Sequence, residues 1–409
     1  MDGFEKGLGI GERGADGKWP AWSLLDEELS LPTAVLYAEK MEHNLRWMQR
    51  FIDAYGVKLA PHGKTTMAPK LFQMQLEHGA WGITLATAQQ TLAAYELGVR
   101  RVLMANQLVG RVNMEIVARL LERGDFTYYC LVDSAEQVEL LGAFFGERGL
   151  RINVLLEIGV DGGRCGVRDD AQIASVLEAL QRSQGTVMLC GVELFEGVLK
   201  VEIDVWALLE RAVAILRRLL EERRFTGSPV LLTAAGSAWY DVVAEIFTAA
   251  ELGNAVEIVL RPGCYVTYDV GAYREAQTRI LANNPVAQEM HGGLVPALQL
   301  WAHVLSRPEP ETAIIGMGKR DASFDSGLPT PVLRYRPGME APTAVPEGWV
   351  LTRMMDQHAF LWVSAEDDVR AGDMIGFDIS HPCLTFDKWR ALPVVNEQYC
   401  VVDVVETYF

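Results

Sequence analysis

From Lys58 onward the chain alternates short apolar runs with longer stretches whose apolar residues recur every three to four positions. The runs 58–60, 82–86, 101–105, 127–132, 152–158, 187–194, 229–234 and 256–260 read as strands, because each is short, apolar and closed by polar or glycine residues. Ala88–Leu97, Ala135–Phe145, Ala171–Gln181, Val205–Glu222 and Tyr240–Glu251 have helical spacing between them. Eight such units in succession predict an α/β barrel, (β/α)8, closed by parallel strands. An open doubly wound sheet is the alternative, but no GxGxxG turn follows the first strand. Upstream, residues 1–30 read as an irregular lead-in with Trp19 and Trp22. Thr33–Ala38 reads as a strand, and Met41–Tyr55 as a helix with Leu45, Met48, Phe51 and Ile52 on one face.

Past about Gly271 the texture changes. Long helical patterns give way to alternating runs at 297–304, 312–315 and 374–377, separated by proline turns. These predict a C-terminal, mainly β domain. The chain therefore divides into a lead-in and strand at 1–38, a barrel at 39–274 and a β domain at 275–409. That division suits 409 residues, which exceed one ordinary core.

Composition narrows the function classes. Half the residues are hydrophobic and 22% are charged, as in ordinary globular proteins. A net charge of −17 argues against nucleic acid and anionic membranes as partners. No apolar run is long enough to span a bilayer, and the stretch Met1–Gly17 has no apolar core of a signal peptide. Six scattered cysteines without paired spacing favour a reducing, cytoplasmic compartment. Cys130, Cys190 and Cys400 lie in strand-like runs and read as core residues. His43, His78, His291 and His303 read as helix-face, turn or core residues.

Barrel chemistry collects at the C-terminal ends of the strands. The first such end is Pro61-His62-Gly63-Lys64-Thr65-Thr66. A lysine at this place is either a surface residue beside a turn or a desolvated amine able to attack a carbonyl. Gly236-Ser237 follows strand seven, and Gly263-Cys264-Tyr265 follows strand eight. Either turn alone is an ordinary βα connection. Together they form a candidate phosphate cradle of backbone N–H groups and a hydroxyl. A strand-end lysine beside a phosphate cradle suggests pyridoxal phosphate. Arg164 and Arg261 stand at strand mouths, facing the cofactor ring or a substrate carboxylate, or serving as structural ion-pair partners. In His381-Pro382-Cys383 an extended backbone would put imidazole and thiol on one side, a two-ligand start for zinc. Asp356-Gln357-His358 offers polar substrate contacts, with Gln357 and His358 as candidate catalytic residues.

With these residues in view, the chain resembles the fold-type III pyridoxal-phosphate enzymes. More narrowly it looks like the branch holding D-serine dehydratase, D-threonine aldolase and D-threo-3-hydroxyaspartate dehydratase. The resemblance runs from about residue 30 to the C-terminus and rests on five motifs in order: PHGKTT at 61–66, GRCGV at 163–167, RPGCY at 261–265, DQH at 356–358 and HPCLTFDKW at 381–389. It implies that Lys64 is the Schiff-base lysine and that Gly236, Ser237, Gly263, Cys264 and Tyr265 hold the phosphate. It implies that Arg164 and Arg261 are cofactor-side arginines, without deciding which faces the ring nitrogen. His381 and Cys383 would bind a divalent metal, and a Cys/His pair favours zinc. The strand at 33–38 would join the β domain, and the assembly would be a homodimer. The implied activity is dehydration of a 3-hydroxy D-amino acid such as D-serine, with retro-aldol cleavage of D-threonine as the alternative. A non-catalytic pyridoxal-phosphate carrier is a third reading. Two departures stand out: strand six ends Glu193-Leu194-Phe195-Glu196, where many relatives carry Tyr or His, and residue 383 is Cys, where aldolase-type members tend to carry Asp.

Overall fold

The computed structural model describes residues 5–14 and 17–409; the first four residues of the lead-in and residues 15–16 lie outside the described set. The chain opens its regular structure with β1 (Thr33–Tyr37) and α1 (Ala38–Tyr55). Eight parallel strands follow: β2 (Lys58–Leu59), β3 (Ile83–Leu85), β4 (Arg101–Gln107), β5 (Thr127–Val132), β6 (Ile152–Ile158), β7 (Val187–Leu194), β8 (Val230–Ala234) and β9 (Val256–Leu260). The helices between them are α2 (Pro69–Glu77), α3 (Ala88–Glu96), α4 (Arg111–Leu121), α5 (Ala135–Gly146), α6 (Asp170–Arg182), α7 (Glu202–Glu221) and α8 (Tyr240–Ala249). Neighbouring strands pair in the order β2-β9-β8-β7-β6-β5-β4-β3. The seam between β2 and β3 closes through a parallel bridge of His62 with Thr84 and a hydrogen bond from Thr84 Oγ1 to the Ala60 carbonyl.

Strand alternation explains the barrel interior. Successive side chains point to opposite faces, so Val154, Leu156 and Ile158 of β6 pack outward among the helices while Leu155 points in. Ala60, Leu103, Leu131, Leu155, Cys190, Leu231 and Val259 form one apolar plug across the barrel. Moving two residues along the strands reaches the next inward layer: His62, Ala105, Asp133, Glu157, Thr233 and Arg261. On β7 a bulge at Cys190–Gly191 shifts the count by one and brings Glu193 into that layer. The barrel is thus filled with hydrocarbon below and floored with polar groups at its mouth.

Past the barrel, α9 (Ala272–Asn283) and α10 (Pro285–Glu289) precede the β domain, so helical structure continues across residue 275. Few residues of α9 are buried, which is why its sequence carries so weak a helical stripe. The second sheet runs β13-β12-β16-β10-β1-β17-β18, built from β10 (Leu298–Glu309), β12 (Thr330–Tyr335), β13 (Thr343–Ala344), β16 (Met374–Asp378), β17 (Ala391–Val395) and β18 (Val401–Glu406) around β1. β11 (Thr312–Ile315), β14 (Val350–Met354) and β15 (Ala359–Trp362) branch from β10. β1 pairs antiparallel with β10 and parallel with β17, so the strand that precedes the barrel belongs to the other sheet. Leu8, Trp22, Leu24 and Leu29 of the lead-in pack with Val35, Tyr37, Trp301 and Val395 of this sheet. The short helix α11 (Cys383–Phe386) sits between β16 and β17. Asn44 of α1 ties the two domains: its amide donates to the carbonyls of Val266 and Val295 and accepts from Val295 N–H, at 2.8–3.1 Å. Among the described residues no helix is long and apolar enough to cross a membrane.

Gly191 marks the tightest approach inside the barrel wall. A Cβ there would lie 2.1 Å from the Leu231 carbonyl oxygen. Gly191→Ala is expected to push β7 from β8, lower stability by about 1–3 kcal/mol and displace Glu193. Thermal unfolding together with cofactor titration checks both effects.

Candidate active site

The polar layer floors a cavity of about 220 Å³, lined by His62, Lys64, Thr65, Arg164, Glu193, Phe195, Ser237, Arg261, Tyr273, His381 and Cys383 among others. A one-turn 3-10 helix, Gly63–Thr65, lifts Lys64 from the end of β2 into the mouth. The amine has no hydrogen bond or ion pair to any described residue. Its side chain is exposed, the surface placement of the two that the strand-end position left open, because the turn raises it above the floor.

Arg261 is the centre of that floor. It is buried, 1% exposed, and pairs with the equally buried Glu193. Its other donors reach Thr233 Oγ1 at 3.1 Å and the Leu194 carbonyl at 3.0 Å. Its Nε, Glu193 Oε2 and His62 Nδ1 are buried without partners. Unpaired buried polar atoms are costly, and three on the wall of one cavity mark a place for a polar ligand. A pyridine nitrogen fits the Arg261 Nε donor, so of the two arginines this one suits the ring. His62 is held well below its ordinary pKa, first by burial and then by Arg261, Lys64 and Arg164. It therefore stands neutral beside the lysine, a role its place in the PHGK motif could have signalled. Arg164 forms no ion pair with any described residue. Its guanidinium lies 4.4 Å from the centre of the Phe195 ring and remains exposed at the mouth, free to meet a carboxylate.

The two glycine turns meet at the opposite wall. Ser237 Oγ accepts from Cys264 N–H at 3.3 Å. Gly263 packs so closely on the β2 end that a Cβ would lie 2.7 Å from the His62 carbonyl oxygen. The cradle differs from the expected one at two positions. The amide of Gly236 donates to Glu196 Oε1 at 2.7 Å, and that of Ala235 to Glu196 Oε2 at 3.0 Å. A buried carboxylate beneath the turn thus takes the Gly236 N–H that a phosphate would have used. It also supports Ala235 at a φ of 78°, a left-handed conformation unusual for a residue with a Cβ. Gly236 lines the cavity but Tyr265 does not; its phenol is buried beside Gln75 of α2. The donors left for a phosphate are the Ser237 hydroxyl and the amides of Ser237 and Gly263, the Cys264 N–H being taken by Ser237 Oγ.

The β domain contributes His381 and Cys383. The segment is not extended as anticipated: Pro382 has helical angles (φ −57°, ψ −41°) and Cys383 opens α11. Imidazole and thiol meet regardless and hydrogen-bond to each other. His381 Nδ1 lies 2.7 Å from Asp325 Oδ2, which leaves Nε2 to face a metal. The hydrogen bond that the imidazole donates to the Cys383 sulfur leads in raising His381 to about 9, against burial. The Cys383 thiol falls to about 4, with the hydrogen bond from Cys264 as first cause and His381 assisting. A thiolate beside a carboxylate-oriented histidine is a donor set that fits zinc. Among the described residues no third His, Cys, Asp or Glu completes a close group with this pair. The one close group of three is Asp133, Glu157 and Cys165, on the far side of the mouth.

Gln357 and His358 are not brought to this cavity within one chain. They occupy the exposed turn between β14 and β15, where Met355 N–H donates to the His358 carbonyl. Glu157, Glu193, Glu196, Asp325 and Thr65 are site-forming residues that local sequence reasoning passed over or left without a role.

Comparisons with known proteins agree with this fold. Residues 37–256, more than half of the chain, match the family described as "Alanine racemase, N-terminal domain", and residues 297–395 match "Putative serine dehydratase domain". A D-threonine aldolase of Arthrobacter sp. is 25% identical over 375 residues, covering 90% of this chain and 89% of that protein. A D-threo-3-hydroxyaspartate dehydratase of Delftia sp. is 30% identical over 248 residues, covering 59% and 62%. The crystal structure of D-threonine aldolase from Filomicrobium marinum superposes with a TM-score of 0.76 at 23% identity, covering 95% of this chain and 97% of that one. At that identity the likeness establishes the fold.

Two tests address the floor. Glu193→Ala leaves Arg261 as an uncompensated buried charge and is expected to cost about 3–5 kcal/mol of stability, whereas replacing both residues by methionine costs less; chemical denaturation of the two variants decides. Glu157 is raised from 4.5 to about 7, chiefly by burial and then by the charge of Glu193. Its contribution to stability is therefore complete below pH 4.5 and lost as pH rises through 7. Glu157→Gln should reduce the fall of unfolding free energy across that window, leaving the part due to other carboxylates that burial raises, among them Asp269, raised to about 7, and Glu196, Asp241 and Asp378.

Proposed function

The chain belongs to the alanine racemase N-terminal domain family, and from that premise we propose that it is a pyridoxal-phosphate- and metal-dependent lyase that dehydrates a 3-hydroxy D-amino acid, such as D-serine, to a 2-oxo acid and ammonia. The observation that carries the reading is the convergence, in one cavity, of Lys64, the paired turns at Ser237 and Cys264, and the His381–Cys383 pair from the other domain. The cofactor supplies an aldehyde for the lysine amine and an electron-accepting ring, and the metal supplies a Lewis acid.

The protein's own groups do the rest. Lys64 Nζ, free at the mouth, would bond the cofactor and would take the Cα proton of the substrate. Arg261, a donor without an acceptor, suits a ring nitrogen that carries no proton. The Ser237 hydroxyl and the amides of Ser237 and Gly263 would hold the phosphate, and Arg164 would meet the substrate carboxylate. His381 Nε2 and Cys383 Sγ hold the metal, with Asp325 fixing the imidazole. Loss of the Cα proton to Lys64 and of the β-hydroxyl as water leaves an enamine, which hydrolyses to the 2-oxo acid and ammonia. The soft His/Cys donor pair favours zinc over harder ions.

A second reading is D-threonine aldolase, favoured by the relative that spans nine-tenths of the chain. There the β-hydroxyl loses its proton and the Cα–Cβ bond breaks, giving glycine and an aldehyde. The proposal includes a homodimer, in which the 355–358 turn of one copy can approach the cavity of the other. It also places the enzyme in the cytoplasm, since all six cysteines are free thiols.

Purified protein supplied with pyridoxal phosphate and zinc should release ammonia and a 2-oxo acid from D-serine, D-threonine or D-threo-3-hydroxyaspartate, and none from L-serine. Lys64→Ala should lose cofactor absorbance and turnover together. Cys383→Ala should lose elimination while retaining cofactor. Glycine and acetaldehyde from D-threonine without ammonia would sink the dehydratase reading in favour of the aldolase.

A further inference from the structure

Two cysteines that lie 119 residues apart in sequence meet at the junction of the domains. Cys264 follows the Gly263 turn of the barrel, and Cys383 begins α11 of the β domain. Their sulfurs are 4.0 Å apart. Thr65, next to Lys64, sits against both: its hydroxyl accepts from Cys383 Sγ at 3.5 Å and lies 3.9 Å from Cys264 Sγ. The two sulfurs differ in access, since Cys264 is 5% exposed while Cys383 is partly exposed on the cavity wall. Of the other thiols, Cys130 and Cys190 are buried in the barrel.

We infer that Cys264 and Cys383 are a redox-active pair that closes to a disulfide under hydroperoxide, removing a metal-binding sulfur from the active site. Bonded sulfurs stand about 2.05 Å apart, so closure from 4.0 Å brings them together by about 2 Å. The exposed member reacts first. Cys383 sulfur attacks one peroxide oxygen, the O–O bond breaks, and the departing oxygen leaves as water, giving a sulfenic acid. Cys264 sulfur then attacks Cys383 sulfur, the S–O bond breaks, and the hydroxyl leaves as a second water with the Cys264 proton. Two thiols lose two electrons and two protons, and one hydrogen peroxide becomes two waters. A dithiol reverses the bond.

The consequence rests on the metal reading above. Cys383 cannot serve the metal and the disulfide at once, so occupancy and oxidation exclude each other. The bond would also tie the phosphate turn of the barrel to the metal segment of the β domain.

The test is a peroxide titration of the reduced protein, with and without bound zinc, read by thiol count, by peptide mapping without reductant and by zinc release to a chromogenic chelator. The expected result is loss of two of the six thiols, one intramolecular peptide joining Cys264 to Cys383, recovery with dithiothreitol, protection by zinc, and zinc release as the link forms. Cys264→Ser should give no link and carry Cys383 to the sulfinic acid. The same map on the unaltered chain decides the matter if that variant does not fold. Overoxidised Cys383 beside a free Cys264 thiol in the unaltered chain would overturn the pair. A link that forms equally fast with and without zinc would overturn its coupling to the metal. A protein that forms the link yet never binds zinc would overturn the metal reading and leave the pair standing.

Discussion

A guanidinium buried in a barrel has to be paired, and the mouth of this one is arranged around that requirement. Arg261 points inward because it lies two residues beyond Val259 of the apolar plug. Only 1% of it is exposed, so Glu193, Thr233 and the Leu194 carbonyl neutralise and bind it in place of bulk water. The bulge in β7 at Gly191 is what brings Glu193 into register with it. The pair leaves one donor and one acceptor unspent, Arg261 Nε and Glu193 Oε2. These are the atoms a cofactor ring can meet. Burial chiefly raises Glu157, and the charge of the same Glu193 carboxylate adds to that rise.

Above this floor the site is assembled from both domains. The barrel provides the lysine and the phosphate turns, while the β domain lowers α11 onto them with His381 and Cys383. That approach depends on β1, which leaves the lead-in, joins the far sheet and then turns into the barrel through α1. Asn44 on α1 fixes the turn after β9 relative to the start of the β domain. The metal segment is thereby tied to the cofactor segment through a buried amide, away from the chemistry.

Much of this was legible along the chain. Eight apolar runs ending in polar turns specify a barrel, because alternation within a strand decides which side chains face the axis. Lys64, Arg164, Ser237, Arg261, Cys264, His381 and Cys383 were each visible as strand-end or turn residues of suitable chemistry, and all line one cavity. The expectations that differed concern backbone groups and local geometry. Gly236 looked like a phosphate donor, but its amide is taken by Glu196, forty residues earlier in the chain. Tyr265 faces the core, since a 3-10 turn after Gly263 rotates it away from the mouth. Lys64 stands in solvent because its own turn is helical, not extended.

The linear order of residues thus determined the repeat, the division into barrel and β domain, and the kinds of chemistry on offer, all of which follow from spacing of a few residues. Only the tertiary structure decided who meets whom. That Arg261 pairs with Glu193, that Asp325 backs His381, and that Cys264 lies against Cys383 depends on contacts spanning 56 to 119 residues. Strand period fixes the direction of a side chain relative to its own backbone. It carries no information about which distant loop the closed barrel and the returning β1 bring to the same place.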